Sequence, residues 1–247
     1  MLEELIPQYE QYQSLIGAII VERHIFLPDV ESFLDDGRFA MHDLNTDVHV
    51  GYYQGRPLAA VVGTFSPHIA LKVEQLATLF MAPMVVRIGT CGSLQSHLNR
   101  GDVAVALAAI RNEGTSACYE PHRDIPAMAN WTMLSRFVPL LGHNDIPYSV
   151  GTIWTTDGRY AESDAQVANY SRWGALAVDM ETSALYTVAT YKKLPALSLG
   201  IISDMPIDDL GLPQKGFKGA EEFEHVVIPR VQQLIRLSLD VFKAHVS

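Results

Sequence analysis

Leu176-Ala-Val-Asp-Met-Glu-Thr-Ser-Ala-Leu-Tyr186 is the stretch whose reading decides the fold. Its first half is a short apolar run of the kind that forms a buried strand. From Glu181 the spacing turns helical, with Ala184, Leu185 and Val188 on one face. The junction puts Asp179, Met180 and Glu181 at the carboxyl end of a strand, where an open α/β sheet holds its ligands. A carboxylate at such a point can accept hydrogen bonds from both hydroxyls of a cis-diol. It can equally be a first-turn residue that complements the helix dipole. The stretch alone leaves both readings open.

Outward from this junction, strand-like and helix-like segments alternate. Residues 1–16 read as an amphipathic helical arm, 14–21 as a strand and 27–34 as a helix closed by Asp35-Asp36-Gly37. Residues 48–53 and 57–62 form a hairpin around Gln54-Gly55-Arg56. A helix over 67–79, a strand over 84–89 that ends in Gly-Thr-Cys-Gly-Ser, and a strand over 103–110 follow. Further on come a helix over 125–141, a strand over 148–153, a helix over 163–171 capped by Ser163, a strand over 197–202 and a long helix over 221–244. Residues 207–219, with three glycines and a proline, have the composition of a mobile lid loop. No repeat and no linker divides the chain. The expectation is an α/β fold, residues 1–247 as a single domain, with a mixed central β-sheet flanked by α-helices.

Composition narrows the function. The 247 residues are 48% hydrophobic, ample for a core, and carry a formal charge of -10. That charge argues against nucleic acid or an anionic membrane as partner, because both reward basic patches. A small phosphorylated ligand needs only one local cluster of donors. Cys91 and Cys118 lack metal-binding or Cys-x-x-Cys spacing, so a reducing cytosol is the default. The start lacks the basic and apolar regions of a signal peptide, and no apolar run reaches the roughly 18 residues of a membrane span. A cytoplasmic location is the expectation.

Polar residues collect at four strand ends: 87–93, 111–116, 180–181 and 203–204. In the first, Arg87, Thr90, Ser93 and the backbone around Gly89 and Gly92 could cradle an oxyanion. Four segments stand in order: Arg87-Ile-Gly-Thr-Cys-Gly-Ser-Leu, Ile110-Arg-Asn-Glu-Gly-Thr-Ser, Val178-Asp-Met-Glu-Thr-Ser-Ala and Ile202-Ser-Asp-Met-Pro. Together they resemble the nucleoside phosphorylase and nucleosidase superfamily, over roughly residues 48–245. The resemblance implies a nucleoside phosphorylase-like fold with a partly barrel-like sheet. It also implies cleavage of an N-ribosidic bond without metal or organic cofactor, with phosphate as co-substrate, in a dimer-based homo-oligomer up to a hexamer. Its partners would be small nucleosides or nucleotides.

Carried over by position, the resemblance assigns Glu181 to the ribose 2′- and 3′-hydroxyls and packs Met180 under the sugar. Asp204 becomes the catalytic general acid that protonates a purine leaving group, which requires a carboxyl pKa well above roughly 3.9. Arg87 and Thr90 become the phosphate or anion ligands. Trp154, Arg159 and Tyr160 become the wall of the base pocket. Each of these three also has an ordinary reading, as core filler, surface charge and edge aromatic.

The sequence departs from this pattern at two places. Phosphorolytic members usually carry Gly-Asp-Pro-x-Arg after the first strand, where this chain has Ile20-Val-Glu-Arg-His24 with Arg23 shifted. Gly63-Thr-Phe-Ser-Pro67 replaces the usual Gly-Met-Gly turn. The segments at 110–116, 155–159, 178–182 and 203–206 are also similar to AMP nucleosidases, which use water and have an arginine at the place of Arg159. The Gln-x-Arg pair of uridine phosphorylases is absent, with Ser163 and Ala165 in its region, so a purine base is favoured. The readings are thus purine nucleoside phosphorolysis, hydrolysis of a nucleotide such as AMP, and a nucleoside sensor without turnover.

Overall fold

A computed structural model describes residues 6–43, 47–81, 84–122, 124–159, 161–205 and 223–246. Ten strands form one mixed sheet: β1 (Ala18–Val21), β2 (Met41–Asp43), β3 (Val48–Tyr53), β4 (Arg56–Val62), β5 (Val85–Ser93), β6 (Val103–Asn112), β7 (Ala127–Met128), β8 (Tyr148–Thr156), β9 (Ala177–Asp179) and β10 (Ala196–Asp204). The path runs β10-β6-β8-β9-β5-β1-β4-β3-β2, and β10 also pairs with β5. That extra pairing closes β5, β10, β6, β8 and β9 into a barrel, from which β1 to β4 extend as an open wing. The expected α/β architecture with a partly barrel-like mixed sheet is the one observed.

Alternation along the strands sorts the core into two faces. Ala18 and Ile20 of β1 and Val85 of β5 pack in one cluster, with Ile69 and Val73 of α3 (Phe65–Leu79) and Ala184, Leu185 and Val188 of α7 (Thr182–Tyr191). Ile19, Val21, Val86 and Ile88 face the other way. They pack with Val30 of α2 (Leu27–Glu31), Leu134 and Phe137 of α5 (Trp131–His143), and Val231, Leu234 and Phe242 of α8 (Ile228–Val246). The remaining helices are short: α1 (Ile6–Tyr9), α4 (Thr115–Tyr119) and α6 (Asp164–Arg172). No helix among the described residues is long and apolar enough to cross a membrane.

Several boundaries differ from the sequence expectation. The helix expected over 125–141 starts at Trp131, because β7 occupies Ala127–Met128, and it continues past Pro139. Gly89–Ser93 continues β5, since β10 supplies a partner through Gly92. Trp154–Thr156 likewise continues β8 beside β6 and β9. The Ser163 cap is present as a full capping box with Gln166. Residues 207–219, read as a lid, lie outside the described residues.

One side chain of α7 holds the barrel together where its ladder opens. β6 and β10 pair only from Val103 to Val105. Beyond that, buried Tyr186 accepts a hydrogen bond from the Ser198 amide at 2.9 Å and donates to the Ala106 carbonyl at 2.5 Å. Removing the phenol oxygen leaves two buried backbone groups unsatisfied, at about 1–3 kcal/mol each. Tyr186→Phe is therefore expected to lower unfolding free energy by about 2 kcal/mol or more in denaturant titration, with the secondary structure retained.

Candidate active site

Arg87 lies on the face of β5 that α7 covers, two residues beyond Val85, and it is fully buried. Its Nη2 donates to Glu181 Oε2. Its Nη1 lies 3.5 Å from Asp179 Oδ2 and donates to Ser198 Oγ at 3.3 Å. The guanidinium folds back over its own strand, and a Cβ on Gly89 would meet Nη2 at 2.5 Å. Gly89 therefore makes room for Arg87. Sequence reasoning expected Arg87 to hold phosphate, but here both end nitrogens are spent on the protein's own carboxylates. Three nearby carboxylates, Glu181, Asp179 and Glu22, outweigh burial and hold the guanidinium firmly in its charged form.

Asp179 is the anchor at the end of β9. Thr155 Oγ1 donates to its Oδ1 at 2.7 Å, the Thr182 amide donates to its Oδ2 at 3.2 Å, and the Thr182 hydroxyl donates to it as well. Thr182 Oγ1 and Ser198 Oγ share a further hydrogen bond at 2.8 Å. These contacts fix the strand-to-helix junction and aim the next residues. Glu181 accepts from the Phe65 amide at 2.8 Å through Oε1, and from its neighbour Met180 at 3.2 Å through Oε2. Ser66 Oγ donates to the Met180 carbonyl at 2.8 Å. Phe65 takes a left-handed backbone, φ 58°, where the related turn has glycine, so the amide is aimed at Glu181 against local steric cost.

Burial pushes the Glu181 carboxyl up to about 7. The negative charges of Glu22 and Asp179 add to that rise, while Arg87 and the Phe65 amide oppose it. Met180 stays half-buried beside it. Thr90 is also half-buried, and its partner is Glu22: the Thr90 amide donates to Glu22 Oε2, and Thr90 Oγ1 lies 3.0 and 2.8 Å from the two carboxylate oxygens. The donors of Thr90, expected to meet a phosphate, are thus taken by an internal carboxylate.

Asp204 ends β10, where a bulge at Ser203 lets it pair in register with Gly92. Gly92 on its other side pairs with Val178. Asp204 and the Asp179-Met180-Glu181 junction therefore flank one residue of β5 at the same end of the barrel. Ser203 Oγ donates to Asp204 Oδ1 at 2.8 Å. Burial pushes the Glu162 carboxyl up to about 7, helped by Asp204 and opposed by Arg159, so these three groups share one neighbourhood.

The expected base wall is only partly there. Arg159 and Asp204 both act on the charge of Glu162, and Tyr160 lies outside the described residues. Trp154 is wholly enclosed: it stacks on Tyr170 at 4.3 Å between ring centres, packs with Leu94, Val167 and Val178, and donates to Asn112 Oδ1 at 3.1 Å. Its place is core, because β8 extends through it and turns its ring inward. Sequence reasoning missed Glu22, Glu162 and Glu113, of which buried Glu113 accepts from Ser183 Oγ at 2.8 Å and from the Ser116 amide at 2.9 Å. Glu22 and Glu113 stood within quoted segments, but residue type alone does not tell a buried glutamate from an exposed one. Among the described residues no cluster of metal-ligating side chains occurs.

At this end of the barrel a buried carboxylate held by Arg87, a second acid across β5 and the donors of Thr90 come together. The sequence model of the phosphorylase superfamily matches residues 24–240, and the chain belongs to that superfamily, in its nucleoside phosphorylase branch of enzymes. A guanosine phosphorylase of Halorubrum lacusprofundi is 29% identical over 87% of this chain and 88% of its own length. A DeoD-type purine nucleoside phosphorylase of Bacillus cereus is 30% identical over 70% of this chain and 74% of its own. The crystal structure of uridine phosphorylase from Vibrio fischeri superposes with a TM-score of 0.79 at 22% identity, over 94% of this chain and 93% of that one.

Two outcomes follow from the charges around Arg87. Arg87→Met strands two buried carboxylates without a counter-charge and is expected to lower stability by about 3–5 kcal/mol, read by thermal or denaturant unfolding. The acceptor form of Glu181 is its carboxylate, which with a pKa of about 7 becomes the major form above neutrality. Affinity for a cis-diol ligand should accordingly tighten as pH rises from 6 to 8. Calorimetry across that range should show the trend, and Glu181→Gln should abolish it.

Proposed function

We propose that the protein cleaves the N-ribosidic bond of a purine nucleoside with inorganic phosphate as nucleophile, releasing the base and ribose 1-phosphate. The observation that carries this reading is the pairing of Asp204 and Val178 with the same residue, Gly92. It brings an acid for the base and the Glu181 carboxylate for the sugar to one end of the barrel. The relatives named as guanosine and purine nucleoside phosphorylases support the purine and the phosphate.

The chemistry follows from where charge develops. As the bond from C1′ to the base nitrogen lengthens, the sugar becomes cationic and the base gains an electron pair. Asp204 is the acid that gives that base nitrogen its proton. Glu181 accepts hydrogen bonds from the 2′- and 3′-hydroxyls, so the sugar is oriented and its positive charge lies near an anion. Met180 packs against the sugar. A phosphate oxygen held at Thr90 attacks C1′ from the side opposite the base. Arg87 acts through Glu181, which it positions. The group needs no metal or organic cofactor for this sequence of steps, and a homo-oligomer is the assembly in which we place it.

A second reading, hydrolysis of a nucleoside or of a nucleotide such as AMP, draws on Glu22 in the Thr90 cradle. Guanosine, inosine, adenosine, uridine and AMP, each assayed with and without phosphate, separate the two. Ribose 1-phosphate formed only with phosphate supports phosphorolysis, and free ribose or ribose 5-phosphate formed without it supports hydrolysis. Asp204→Asn is expected to lower kcat by about 10²–10⁴-fold on the preferred purine substrate, the usual worth of a general acid. Full activity in that variant would overturn the assignment.

A further inference from the structure

Glu22 is the first residue after β1, and no step above uses it. β1 covers β5 only up to Ile88, and β9 joins the same edge only from Gly92. Between them the Thr90 amide has no ladder partner, and the Glu22 side chain reaches in to take it. With the amide and Thr90 Oγ1 both bound to its carboxylate, Glu22 occupies every donor that Thr90 offers. The side chain is 11% exposed, so the contact is largely enclosed. A phosphate would need those same donors, and would meet the Glu22 charge where its own oxygens must go.

The other charges nearby reinforce this. Arg87 is the one cation enclosed beside the cradle among the described residues, and it is committed to Glu181 and Asp179. Arg23 is half-exposed, with Nε 3.6 Å from Glu22 Oε1 and its guanidinium over the Phe223 ring at 4.9 Å. Arg23 thus balances Glu22 and would be released to a phosphate once Glu22 withdrew.

We propose that Glu22 is a resident anion that an incoming phosphate must displace, and that it sets how well this enzyme takes phosphate over water. The inference relies on the nucleoside-cleaving reading only for what the anion is used for; the competition itself is a property of binding. The test is calorimetric binding of inorganic phosphate to wild type, Glu22→Gly, Glu22→Gln and the double variant Glu22→Gly/Thr90→Val. Alongside it, the phosphate concentration for half-maximal base release from the preferred nucleoside is measured for each.

Glu22→Gly is expected to bind phosphate at least tenfold more tightly, with the half-saturating phosphate falling to match. Glu22→Gln, which removes the charge with little change of shape, should move the same way and serves if the glycine variant folds poorly. In the double variant the gain should vanish, because the cradle itself is gone. Phosphate affinity equal within twofold in wild type and both single variants overturns the proposal. So does a gain that survives loss of Thr90. Hydrolysis that disappears in Glu22→Gln with no gain in phosphate binding also overturns it, since Glu22 would then serve water directly. Absence of base release in every protein would instead refute the proposed reaction, and the binding comparison would still decide the role of Glu22.

Discussion

A single buried arginine organises this molecule. Arg87 sits in the interior with Glu181, Asp179 and Ser198 around its two end nitrogens. A charge in that setting is tolerable only when paired and hydrogen-bonded. The pairing links β5, β9, β10 and the start of α7 through one group. Glu181 and Asp179 at the barrel end are therefore placed by Arg87. The cost of the arrangement is borne by packing on both faces of the sheet, and α7 is buried along nearly its whole length.

Barrel closure does the remaining positioning. β5 is bordered by β10 along one edge, and by β1 and then β9 along the other. Closure brings the end of β10 and the end of β9 to the same level, so residues distant in sequence converge without any long loop. Tyr186 substitutes for ladder bonds where β6 and β10 part. The Phe65 turn adds a backbone donor from α3, which packs against α7. Rigid elements thus present the polar groups, the arrangement that holds a reacting geometry most closely.

Much of this was legible in the sequence, for identifiable reasons. Period-two and period-3.6 patterns marked the hairpin at 48–62, the strand-to-helix change at 176–186 and α8, because each presents one apolar face. The turn residues of Gln54-Gly55 and the Ser163 cap act locally and were readable as such. What escaped depended on partners far away. The Gly89–Ser93 segment looks like a turn by composition and is a strand because β10 pairs with it. Ala127–Met128 lies in a stretch that looks helical and is held as β7 by β6. Arg87 carried the right residue type for an anion ligand, but which anion it faces was decided by Asp179 and Glu181 across the barrel. Glu22 lay in a segment noted for what it lacked, and only the in-register pairing of β1 with β5 reveals what it contributes.

The interruption on one edge of β5 has a consequence for how such a protein can diversify. The groups proposed for sugar and base hang from β9, α7 and β10, whereas the occupant of the Thr90 gap hangs from the end of β1. The two sets are tethered to different strands that border β5. A change in the residue that follows β1 alters the local chemistry of the gap without touching the closure of the barrel or the apolar contacts of either face. The fold can thus vary one reactant while conserving the other, and related chains can differ in that single tether yet remain superposable.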